Sequence, residues 1–195
     1  MAKEYEKLKI DLAEKHMNDR EAYTVAKSDF IKKINNMART EVKYDIVELS
    51  HRPDLVSSAV NFFWTCWGNE NNFKFYEDCI INSIDVNISL PKFYLALDHT
   101  DTIIGTYALL TNDLISRQDL MPWLACLFMK EDYRNKGIAG SLLDHGLNEA
   151  KMKGFQKLYL YTDLENFYER KGWKHMCNGY NVANMEVKIY VKETD

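Results

Sequence analysis

The stretch Tyr133-Arg134-Asn135-Lys136-Gly137-Ile138-Ala139-Gly140-Ser141 holds the residue types best suited to chemistry in this chain. It lies between an unbroken apolar run, Trp123 to Met129, and an amphipathic stretch from about Ile138 to Lys153. A helix starting there leaves its first amides without intrahelical acceptors, and the helix dipole adds positive potential at that end. Gly137 and Gly140 remove side chains that would hold a ligand off those amides, so the spacing fits a pyrophosphate or another anion. Arg134 and Lys136 add charge at its edge. Two familiar phosphate loops do not match. There is no G-x-G-x-x-G followed by an acidic residue at the end of the next strand, and no Walker order of glycine, lysine and hydroxyl. Taken alone, the segment is equally a glycine-containing turn that lets a helix pack closely on a sheet.

Other reactive side chains form no comparable pattern. Cys66, Cys79, Cys126 and Cys177 are widely spaced, make no C-x-x-C pair and sit in apolar or aromatic stretches. They read as reduced core thiols, and neither disulfides nor a metal is expected. Cys126 as a nucleophile would need a base to form its thiolate, which an apolar strand does not supply. His16, His51, His99, His145 and His175 are scattered and read as structural or solvated.

The elements around the loop follow from periodicity. Val42, Tyr44 and Ile46 alternate with Lys43 and Asp45, a half-buried first strand. Pro53 and Asp54 open a helix through Leu55, Val56, Ala59, Val60, Phe63 and Trp67, with Gly68 placed as a left-handed cap. A second helix runs from Phe73 to Ile84, and Trp64, Trp67, Phe73, Phe75 and Tyr76 read as core. Phe93 to Leu97 and Ile103 to Leu110 form an antiparallel pair joined by the polar turn Asp98 to Asp101. Trp123 to Met129, apolar throughout, suits a central strand covered on both faces. The helix after the loop turns Ala139, Leu142, Leu143, Leu147 and Ala150 inward and ends at Gly154; Leu158 to Tyr161 then completes a βαβ unit with parallel strands. A short helix over Leu164 to Lys171 and a one-sided strand through Met185, Val187, Ile189 and Val191 close the chain.

Residues 1–39 differ in character: two charged amphipathic helices, the second opened by Asn18 with Glu21 as a capping box. They read as an extension that docks on the domain, meets a second protomer as in a homodimer, or serves as an arm. A length of 195 residues with 46% hydrophobic side chains can bury one sizeable core, which gives a domain over 40–195 and the extension over 1–39. A net charge of -4 lacks the basic excess that nucleic-acid binding needs, and it tolerates cationic substrates. With no membrane-length apolar run, a soluble cytoplasmic protein is expected.

Arg134-Asn135-Lys136-Gly137-Ile138-Ala139 resembles the R/Q-x-x-G-x-G/A signature of the Gcn5-related N-acetyltransferases, the GNAT family, with Ala139 in the last place. Phe167-Tyr168-Glu169-Arg170-Lys171-Gly172-Trp173 is similar to that family's second landmark, and the element order over residues 42–192 follows it. The resemblance implies an α/β (α+β) fold: a mixed central sheet of about six to seven strands flanked by helices, with the helical N-terminal extension outside it. It further implies acetyl-CoA as the donor. Main-chain groups of Leu127, Phe128 and Met129 would line the pantetheine arm, and Arg134, Asn135, Lys136, Gly137, Ile138, Ala139 and Gly140 would cradle the pyrophosphate. Tyr168 would return a proton to the departing thiolate.

The chemistry implied is direct attack of an amine, from a small molecule or a protein, on the thioester carbonyl, with an amide near Leu127 stabilising the developing charge. Asp113, Asp119 and Asp163, in loops near strand ends, are candidates to collect the amine's proton, and each is also an ordinary turn residue. Where the family often ends the strand after the signature helix with asparagine, this chain has Tyr161. The rival readings are a CoA-binding or interaction module without turnover, and an assembly protein whose charged helices recruit a partner.

Overall fold

The computed structural model describes Asp19, residues 42–85 and residues 87–195. The helices and capping box expected over residues 1–39 lie outside them. The chain divides into two units, Met1–Val42 and Lys43–Asp195, and every strand and helix described belongs to the second. The strands are β1 (Tyr44–Glu48), β2 (Lys92–Asp98), β3 (Ile103–Leu110), β4 (Trp123–Met129), β5 (Lys157–Thr162), β6 (Lys174–Tyr180) and β7 (Glu186–Glu193). Among the described residues three α-helices accompany them: α1 (Val56–Trp67), α2 (Phe73–Ile81) and α3 (Ile138–Met152). The strands form one seven-stranded sheet in the order β1-β2-β3-β4-β5-β7-β6, with β4 at its centre. Only β4 and β5 run parallel, as a strand-helix-strand crossover requires. This is the mixed, helix-flanked sheet that the sequence predicts.

Period-two alternation gives the sheet two apolar faces. On one, Phe93, Leu95, Leu97 and Ala108 pack with Ala59, Val60 and Phe63 of α1 and Ile80 of α2. Phe63 is fully buried with its ring edge-on to Phe93 at 5.1 Å; burying such a side chain stabilises by about 1.5–3 kcal/mol. On the other face Tyr94 and Tyr107 stack at 4.5 Å and reach α3 through polar tips. Tyr94 Oη donates to Glu149 Oε2 at 2.7 Å, and Tyr107 Oη lies 2.6 Å from His145 Nδ1. Burial lowers the pKa of His145 and so favours its neutral form there.

Several sequence expectations are corrected. Gly68 is extended (φ -93°, ψ -174°), not left-handed; a Cβ there would sit 2.3 Å from Trp64 Cδ1, so close approach rather than backbone freedom calls for glycine. α2 stops at Ile81, where the Asn82 side chain bonds the Asp78 carbonyl. Trp67 and Phe75 are exposed rather than core, and Cys79 is exposed as well. In α3, Ala139 and Leu147 are half-buried, while Ile138, Gly140 and Gly146 share the buried face. The helix expected over Leu164 to Lys171 shrinks to a 3-10 turn at Glu169–Lys171, because Asn166 adopts a left-handed φ of 61° and Leu164 is exposed. β7 is not one-sided: it lies between β5 and β6, so Ile189 and Tyr190, on opposite faces, are both buried. β6 carries no apolar alternation strong enough to announce it. Among the described residues no helix is long and apolar enough to cross a membrane.

Candidate active site

β4 and β5 share a single ladder rung, Trp123 with Tyr159, reinforced by the Tyr159 amide donating to the Pro122 carbonyl at 3.0 Å. Beyond that rung β4 pairs only with β3, so its β5-facing edge is open from Ala125 to Met129. The cause is local. Ala108 pairs with Ala125 but Thr106 pairs with Phe128, so Cys126 and Leu127 both stand opposite Tyr107 in a β-bulge. Cys126 takes a left-handed φ of 53°, and Thr106 Oγ1 holds its carbonyl at 3.1 Å. A bulge bends a strand and increases its twist, which carries β4 away from β5 and leaves unpaired main-chain groups along a slot. Nothing in the sequence signalled this bulge, since cysteine has no preference for such a conformation.

The slot's far end is the loop after β4. Arg134 folds back: its Nε donates to the Met129 carbonyl at 3.1 Å, and its guanidinium stands 5.9 Å from the Phe128 ring. Phe128 in turn meets Phe62 and Trp67 of α1 edge-on. Lys136 lies over the Tyr133 ring. Asn135 (φ 60°) and Gly137 (φ 85°) are both left-handed, and Gly137 caps α3 in a conformation that favours glycine. Gly140 and Ser141 donate to the Gly137 carbonyl, leaving the amides of Ile138 and Ala139 as the orphan donors of the first turn. A Cβ on Gly140 would sit 2.6 Å from Lys171 Nζ, so that ammonium rests on the helix start. Sequence reasoning missed Lys171 in this role: it is thirty-one positions from Gly140, and only folding brings them together.

Tyr168 precedes the turn that carries Lys171, and the turn closes on Gly172, left-handed at φ 81°. The Tyr168 ring is buried among Phe167, Trp173 and Tyr190, and burial pushes its pKa up to about 12. Among the described residues its hydroxyl has no hydrogen-bond partner.

Residues 56–173, more than half of the chain, match the family model described as the acetyltransferase (GNAT) family. The chain belongs to the GNAT family. Residues 1–37, outside that match, fit a model described as GrpB protein. N-alpha-acetyltransferase 30 of Schizosaccharomyces pombe is 34% identical over 89 residues, which are 43% of this chain; the chain spans 58% of that relative's length. A GNAT-family protein from Desulfovibrio desulfuricans superposes with a TM-score of 0.61 at 13% identity, covering 78% of this chain and 100% of the other. An aminoglycoside 6'-N-acetyltransferase complexed with coenzyme A superposes with a TM-score of 0.58 at 16% identity, covering 77% and 97%. Likeness at such identities concerns the fold alone.

The three aspartates that sequence left level are separated within the GNAT domain. Asp119 is exposed and held by Arg117 at 2.8 and 2.7 Å, which lowers its pKa. Asp163 is exposed. Asp113 is only partly accessible, and loss of hydration raises its pKa to about 6. Burial also pushes the Cys126 thiol up to about 12, which keeps it protonated and a poor nucleophile.

Proposed function

We propose that this GNAT protein transfers an acetyl group from acetyl-CoA to a primary amine of a small molecule or protein by direct attack. One observation carries the reading: the bulged, single-rung junction of β4 and β5 opens a slot that ends at the orphan amides of α3. The slot's features fit this donor. A bare strand edge can read the amides of a pantetheine arm, and Ile138 and Ala139 amides, with Lys171 beside Gly140, suit a pyrophosphate. The bound thioester supplies the acyl group. In this assignment Leu127, in the bulge, offers its amide to the carbonyl oxygen, and Leu127, Phe128 and Met129 hold the arm. Arg134 to Gly140 hold the phosphates, and Tyr168, neutral up to high pH, keeps a proton for sulfur. Residues 40–195 are the catalytic domain in this reading and residues 1–39 an extension that can serve dimer formation. The enzyme would work in the cytoplasm.

Calorimetric titration with acetyl-CoA, followed by thiol-release assays across polyamines, aminoglycosides, amino acids and peptides, tests the proposal. Saturable binding and amine-dependent thiol release are expected. No binding at millimolar acetyl-CoA would sink it, and binding with no release from any amine would leave a CoA-binding module instead.

A further inference from the structure

The loop between β3 and β4 leaves the sheet at a particular level. Leu110, its last strand residue, pairs with Trp123, and Trp123 pairs with Tyr159, the one rung joining β4 to β5. The loop therefore starts at the closed end of the slot. Its next turns lie on one face of the sheet: Leu114, almost wholly buried, packs with Leu120, Trp123 and Ile189. Two side chains fasten it to the β6–β7 hairpin, Ser116 Oγ donating to the Tyr180 carbonyl at 2.6 Å and Arg117 Nη1 to Cys177 Sγ at 3.0 Å. Asp113 stands between these anchors and the strand. Tyr168 packs instead against Tyr190. Ile189 and Tyr190 are consecutive residues of β7 and so point to opposite faces, which puts the Asp113 loop and Tyr168 on opposite sides of the sheet.

Asp113 is within electrostatic reach of Cys126 in the β4 bulge, Tyr161 of β5 and Tyr76 of α2, groups from both edges of the slot and from the helix above it. All three have pKa values raised, chiefly by burial, and are neutral near neutral pH, so Asp113 is the charge among them. Among the described residues its carboxylate has no hydrogen-bond or ion-pair partner. Next to it, the buried Asn112 Oδ1 has no donor either. A carboxylate reachable by solvent yet stripped of much of its hydration, and left unpaired, is open to a cationic donor.

We propose that Asp113 receives the acceptor amine, pairing with the ammonium and taking a proton from it, on the face of the sheet opposite Tyr168. The inference rests on the acetyltransferase reading and assigns it a cationic acceptor. One nitrogen-bound proton passes to Asp113 and on to water, freeing the lone pair. The C–N bond forms and the C–S bond breaks. Sulfur leaves with the Tyr168 proton, the second proton lost from nitrogen goes to water, and water reprotonates Tyr168, so the reaction closes as ammonium plus thioester giving amide, thiol and one proton. Its raised pKa narrows the gap to the ammonium it must deprotonate.

The test compares wild type, Asp113→Asn and Asp113→Glu for acetyl-CoA affinity, melting temperature and steady-state kinetics from about pH 5 to 9. Two acceptors are used: an alkylamine, cationic at neutral pH, and a hydrazide, neutral there. For Asp113→Asn the inference expects unchanged acetyl-CoA affinity, a loss of about 10²- to 10⁴-fold in kcat/KM with the alkylamine, and disappearance of the acid limb near 6. A smaller loss is expected with the hydrazide, and partial recovery in Asp113→Glu. A wild type that turns over while a folded Asp113→Asn matches it within about threefold, or keeps the acid limb, overturns this inference alone. A wild type that binds no acetyl-CoA overturns the acetyltransferase reading, and this inference falls with it.

Discussion

Loss of hydration acts on Tyr168 and on Asp113 in the same sense, favouring the protonated form of each. For Tyr168 this means a phenol that stays protonated beyond the range in which most enzymes work. With a pKa of about 12 it is a weaker acid than a free thiol at about 8.5, so donation to sulfur contributes at the low end of general-acid effects. Tyr168→Phe is expected to lower kcat about 10²-fold while leaving the KM for acetyl-CoA unchanged, as steady-state assays with a saturating amine would measure. Undiminished turnover would remove the acid role and leave the cofactor site standing. For Asp113 the shift runs against stability at neutral pH. Its folded pKa of about 6 exceeds the ordinary 3.8, so the native state holds the proton more tightly and loses stability as pH rises between those values. Asp113→Asn is therefore expected to stabilise the fold by about 2–3 kcal/mol above pH 7, a gain that fades below about pH 4. Denaturant unfolding at the two pH values checks it. A residue whose removal helps folding is one a purely structural role does not account for.

The strand-loop-helix element from Trp123 to Met152 shows how local rules and a tertiary neighbour share a site. Gly137 caps α3 through its own left-handed backbone, where the sequence had given it only the role of clearing side chains from the helix start. Gly140 has an ordinary helical place, and what needs the missing side chain there is Lys171 from the turn after β5. The assignment of the anion end predicts that Gly140→Val displaces the lysine tip and weakens acetyl-CoA binding about tenfold, with α3 still formed because the obstructing atom is a flexible side-chain end. Lys171→Ala should cost a similar factor, and the double variant little more than either, since both remove one contact. Calorimetric dissociation constants at low and raised salt measure this, with a shallower salt dependence expected in both single variants. Additive losses would mean that Gly140 acts independently of Lys171.

For the molecule as a whole, the division at residues 39 and 40 proposed from sequence predicts that a chain of residues 40–195 binds acetyl-CoA within about twofold of the full chain, since a domain with its own core folds alone. Loss of binding in the shortened chain would move the boundary. The order of elements was legible without coordinates because it rests on local signals: alternation in β1, the apolar run of β4, the 3.6-residue stripe of α3 and the glycines beside it. The two landmarks at Arg134 and Tyr168 were legible for the same reason, as short contiguous patterns. Sequence erred where burial depends on neighbours, as at Trp67, Phe75 and Tyr190, and where one residue's φ decides an element, as at Asn166. It was silent on whatever is made by two distant segments meeting. The Cys126 bulge exists only against Thr106, Lys171 lies on the helix start only because β5 and the turn after it return beside α3, and Asp113 differs from Asp119 and Asp163 only through what surrounds it. Local patterning thus determined the elements and the family's signature residues, while the β4 bulge, the lysine at the helix start and the raised pKa of Asp113 were decided by tertiary structure, because hydration and charge at a site are set by the segments that close around it.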